Sequence, residues 1–135
     1  MTPADREHLN LLRIFYWVIA GLHALGGCVP IIHLSIGLMI VNEKLPAAKG
    51  DGPPPAAFGW FFIVMAVTLM AVIWTIAVLA ALVARRLGEH RGYTFVLVVA
   101  GLLCLSMPLG TLLGVFTIVV LLRPTVKAGF GVPAT

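Results

Sequence analysis

Two histidines, His23 and His33, stand in otherwise apolar sequence ten residues apart. An ionisable side chain inside an apolar run is a functional candidate by default. A neutral imidazole in such a setting can ligate haem or a chlorin. Ten residues is nearly three helical turns, and Gly26, Gly27 and Pro30 lie between the two rings. A bend there sets their separation, so the spacing alone does not bring them to one ligand. The structural alternative is a neutral histidine bonded to a carbonyl freed at the bend.

Other chemistry is sparse. There is no Ser/His/Asp set, no HExxH and no glycine-rich phosphate loop. The five acids, Asp5, Glu7, Glu43, Asp51 and Glu89, all fall in flanks or loops. A proton-coupled carrier needs an acid within a span. Cys28 and Cys104 lie in apolar runs, form no CxxC or Cys/His cluster, and read as buried small side chains with no metal to hold. The expected function is therefore non-enzymatic.

The elements that must position these residues are membrane helices. Of 135 residues, 61% are hydrophobic and 10% charged, and the mean hydropathy is +1.08. A soluble domain carries about 25% charged residues. The net charge of +4 comes from bases at the ends of apolar runs, where they meet lipid headgroups. No basic patch interleaved with aromatics exists, which excludes nucleic-acid binding.

The hydropathy pattern predicts an all-α, polytopic membrane helix bundle. It has about four transmembrane helices, at residues 9–41, 58–84, 93–106 and 108–122, in one domain. Residues 42–57, rich in proline and glycine, form the extramembrane loop. The run 14–41 would be about 42 Å long as one straight helix, and 93–122 about 45 Å. The hydrocarbon core is roughly 30 Å. Pro30 and Pro108 are therefore expected to break the first and last runs. Three kinked helices or five segments are the competing counts.

Thr2-Pro3-Ala4-Asp5 reads as a helix start with a capping box. The basic turn Arg85–Arg91 is expected in the cytoplasm. With four spans, both termini join it there. Small residues mark packing faces: Ser106, Gly110 and Gly114 on one helix, Ala77 and Ala81 on another. Thr111 follows the second break and can bond a carbonyl that Pro108 leaves free. The two Pro-broken runs also echo each other weakly, as the halves of small channels and transporters do.

The segment Tyr93-Thr94-Phe95, then Pro108-Leu109-Gly110-Thr111, then Leu113-Gly114-Val115-Phe116-Thr117 resembles a group of small bacterial integral membrane proteins. Asp5–Leu9 and Pro30–Leu34 carry the same likeness. It implies a bacterial inner-membrane host and supplies no catalytic residues, since the group has no established activity. The sequence leads us to expect an accessory or structural subunit of a bacterial inner-membrane complex. It would bind other membrane subunits, or itself, through small-residue helix faces, with the lipid bilayer around it and no cofactor. A haem- or chlorin-ligating subunit using His23 or His33 is the second expectation. A small channel or transporter is the third.

Overall fold

The computed structural model describes residues 1–44, 54–106 and 108–133. Six helices follow in order: α1 (Pro3–Gly26), α2 (Ile31–Val41), α3 (Ala56–Glu89), α4 (Tyr93–Leu103), α5 (Leu109–Leu121) and α6 (Pro124–Gly129). No strand occurs among the described residues. Most of the loop expected at 42–57 lies outside them. Its described ends close α2 and lead into α3.

Helix α1 starts as its sequence dictates. Asp5 N–H donates to Thr2 Oγ1 at 3.2 Å, and Thr2 N–H donates to Asp5 Oδ2 at 3.0 Å. These reciprocal bonds satisfy two amides that a helix start would leave orphaned. The helix ends at Gly26, before a tight turn over residues 27–30. Pro30 has no N–H for the Gly26 carbonyl, and Val29 N–H takes that carbonyl instead at 3.0 Å. The expected span 9–41 is thus two helices, α1 and α2.

The second break is resolved in the same currency. Pro108 cannot donate to the carbonyl of Cys104, four residues earlier. Thr111 Oγ1 donates to that oxygen at 2.7 Å, as expected for a hydroxyl just past the break. Helix α4 has 11 residues and α5 has 13, so they are about 17 and 20 Å long. Both fall short of the roughly 20 residues a straight crossing needs.

The chain divides into two compact units. The first comprises Met1–Gly21 and Ala77–Thr135, the second Leu22–Ile76. In the first, each helix buries one stripe. Helix α1 contributes Leu9, Leu12, Tyr16 and Ile19, and α3 contributes Ala77, Ala80, Val83, Ala84 and Leu87. Helices α4 and α5 fold back on each other. A Cβ on Gly114 would strike the Ala100 carbonyl, and one on Gly110 would lie 2.5 Å from the Leu103 carbonyl.

Tyr16 and Thr117 are both fully buried at this core. Thr117 Oγ1 donates to the Leu113 carbonyl at 2.7 Å. Its single proton is then spent, so in the 3.2 Å contact between the two hydroxyls Tyr16 donates and Thr117 accepts.

The second unit rests on α2 against α3. Ideal Cβ atoms on Gly37 and Gly59 would come within 2.8 and 2.9 Å of each other's carbonyl oxygens. A Cβ on Gly27 would collide with the Trp74 indole. Both helices present glycine where the backbones touch, which is how helices approach closely without a hydrophobic drive.

Two stability predictions follow from this packing. Thr117→Val strands a buried phenol proton and costs about 1–3 kcal/mol, whereas Tyr16→Phe leaves Thr117 bonded to Leu113 and costs under about 1 kcal/mol. Reversible unfolding in detergent mixtures measures both. Gly21 and Gly101 face open space, so alanine there adds roughly 0.5–1 kcal/mol of helix stability. The same change at Gly114 forces backbone apart and costs about 1–3 kcal/mol.

Candidate functional site

The groups able to do polar chemistry gather at one end of the first unit. Asp5 organises them. It is only 3% exposed. Thr125 Oγ1 donates to its Oδ2 at 2.7 Å, and Arg123 reaches Oδ1 at 3.4 Å. The Met1 side chain lies against Gly129, so the two chain ends are clasped together. The Thr125 hydroxyl, then the Thr2 amide, hold the Asp5 carboxyl well below the usual carboxylate range, with Arg123 adding least.

The turn after α3 joins the same end. His90 takes the left-handed conformation (φ 52°) at the helix terminus, and Arg91 N–H caps the Arg86 carbonyl at 3.1 Å. Phe130 stacks edge-on against both His90 and Tyr93, at 5.9 and 6.0 Å. The Arg86 guanidinium sits 4.6 Å above the Phe95 ring, a cation–π contact. Gly92, at φ 70°, gives Arg86 the room to lie there.

Two cavities open at this end. One, of about 420 Å³, is lined by Leu82, Arg85, Arg86, Glu89, Arg91 and Gly92. The other, of about 150 Å³, lies between α1 and the end of α3, with Arg6, Asn10 and Arg13 on one wall and His90 on the other. Seven of the nine Lys and Arg residues belong to this unit (Arg6, Arg13, Arg85, Arg86, Arg91, Arg123, Lys127) against three acids (Asp5, Glu7, Glu89). The whole net charge of +4 therefore resides here, because Lys44 and Lys49 cancel Glu43 and Asp51.

The residues singled out from the sequence lie elsewhere. His23 is half-buried near the end of α1. His33, on α2, stacks on Phe62 of α3 with ring centres 6.2 Å apart, and its buried Nδ1 has no bonding partner. The Phe62 contact makes it part of the α2–α3 packing. No group of three His, Cys, Asp or Glu side chains among the described residues is placed to hold a metal. Pro30 is buried and Pro108 exposed, each at the end of its turn.

The small-residue faces serve the chain itself. Gly110 and Gly114 are buried against α4, with Ser106 beside Gly110. Ala77 is buried and Ala81 half-buried on α3. Gly110 and Gly114 thus pack against another helix of the same chain. The expectation for Cys28 is corrected: it is exposed, and Cys104 is half-buried. Sequence reasoning missed the Asp5–Thr125 clasp and the Gly37–Gly59 contact. A Thr-x-x-Asp box marks a helix cap, but nothing local to it announces a partner 120 residues away.

Comparison of the chain with protein-family models, curated proteins and solved structures gives no match.

The clasp sets an acid dependence. A carboxyl held low contributes stability that is fully present above the ordinary carboxylate range and is lost as pH falls through and below it. Protection of the amides of residues 125–130, relative to their intrinsic exchange rates, should therefore be high and unchanged from neutral pH to about 5, then fall in more acid solution. Asp5→Asn should show low protection throughout, with little further change in acid.

Proposed function

We propose that this chain is an integral membrane protein acting as a non-catalytic accessory subunit of a bacterial inner-membrane complex. The observation that carries the reading is the outer surface of its long helices. The stretches Pro3–Val41 and Ala56–Glu89 are long and apolar enough to cross a bilayer, yet only 17% and 11% of their most apolar windows are buried. A core helix of a soluble protein would be mostly buried. Leu22, Leu25, Phe58, Trp60, Phe61 and Val64 are each more than half exposed. Water would oppose such a surface, and lipid or a partner's helices would cover it.

The topology we propose has two crossings and a re-entrant hairpin. Tyr93 follows the basic turn, and Leu121 precedes Arg123, so α4 enters and α5 leaves at the charged end. Helices of about 17 and 20 Å reach only part-way through a core of roughly 30 Å. Thr111 satisfies the carbonyl freed at the hairpin tip, as non-helical backbone at membrane depth requires. The clasp of the two termini beside the Arg85–Arg91 turn supports a common side for all three. Their positive charge supports the cytoplasm.

Two experiments test these readings. Leu105, 83% exposed at the hairpin tip, is changed to Cys in a Cys28→Ser, Cys104→Ser background. Protection from a membrane-impermeant maleimide on either side is expected, and labelling from outside would establish four full spans instead. Mild-detergent purification from the native membrane should give a colourless sample with stoichiometric partner chains. A Soret or red absorption band would replace the accessory role with haem or chlorin ligation at His23 or His33. A colourless chain recovered alone would sink the assembly role.

A further inference from the structure

The smaller cavity at the charged end has the features of an anion site. Arg6, Asn10 and Arg13 fall at i, i+4 and i+7 on α1, so all three project along one face. Gly88 has no side chain at the last turn of α3, and a Cβ there would lie 3.2 Å from the Arg13 guanidinium. Arg13 thus lies against the bare backbone of Gly88. His90 closes the far wall, and the buried Leu9 and Leu87 form an apolar floor.

No acid lines this cavity. Among the described residues neither Arg6 nor Arg13 has a carboxylate within 4.0 Å. The contrast with the rest of the end is informative. Arg123 pairs with Asp5, Arg86 rests on Phe95, and the larger cavity contains Glu89. Here Arg6 and Arg13 line one cavity, and neither has a carboxylate partner among the described residues. Guanidinium forks match phosphate oxygens in pairs. Arg13 also lies one turn before the exposed Trp17, and such aromatics mark the depth of the headgroups.

We propose that Arg6, Arg13 and Asn10 bind a phosphate oxyanion between α1 and the end of α3. The phosphate is carried by an anionic phospholipid headgroup or is free in solution. The site belongs to the isolated chain and does not depend on the accessory-subunit role.

The test is native mass spectrometry of the detergent-purified full chain, titrated with phosphatidylglycerol, diacylglycerol or inorganic phosphate. Wild type should retain phosphatidylglycerol at concentrations about tenfold lower than Arg6→Gln/Arg13→Gln does, since each lost charged contact is costly. Arg85→Gln/Arg91→Gln removes equal charge from the larger cavity and should stay within about threefold of wild type. Diacylglycerol, which lacks the phosphate, should show no preference for wild type. Inorganic phosphate that binds and displaces the lipid assigns the site to a free anion, and failure to displace assigns it to the headgroup. Equal loss in the two double variants would overturn the site as general surface charge. So would equal retention of diacylglycerol. If the first double variant does not fold, Arg6→Gln and Arg13→Gln are read singly against the same controls, each expected to weaken retention about threefold.

Discussion

Backbone carbonyls in apolar surroundings must find donors, and two prolines remove a donor each. This constraint shapes both breaks in the chain. At Pro30 the freed Gly26 carbonyl is taken within the turn by Val29. At Pro108 the freed Cys104 carbonyl is taken from the far side by Thr111. The first solution needs only a local tightening of the helix. The second ties the start of α5 to the end of α4, and so helps fix the hairpin in which Gly114 meets Ala100. An unmet carbonyl in hydrocarbon costs several kcal/mol, more than most side-chain contacts return.

Once the breaks are closed, close approach of backbones does the remaining work. Glycine and alanine sit where helices touch, at Gly37 with Gly59 and at Gly114 with Ala100. Large side chains are left on the outside, with Phe61 62% and Leu105 83% exposed. Each helix still buries a narrow stripe of large residues, Leu12, Tyr16 and Leu87 among them, and leaves the rest outside. This is the arrangement expected when the surroundings are as apolar as the side chains, because little is gained by hiding them. Gly110 and Gly114 turn inward, against α4.

Charge follows a separate logic. The second unit is electrically neutral, while the first carries all of the surplus. Within that end the cations are held differently. Arg123 is used by the clasp, Arg86 by a ring, and Arg6 and Arg13 by neither. Such a division gives a basic end both a structural and a binding part.

The helical class, the two breaks, the capping box at Thr2 and the role of Thr111 were legible in the sequence, because each rests on local rules. Pro removes an N–H, a Thr-x-x-Asp box closes a helix start, and a hydroxyl three residues past a proline can reach back across the break to the carbonyl seven residues before it. The candidate site was legible only in composition: bases at run ends pointed to headgroups, without saying which bases share a cavity. Tertiary structure alone decided that Tyr16 meets Thr117, that Asp5 meets Thr125, and that Arg13 lies over Gly88. It also decided that the glycine faces turn inward. The physical reason is separation along the chain. These pairs are 75 to 120 residues apart, so no periodicity or local propensity couples them, and only the packing of whole helices brings them together.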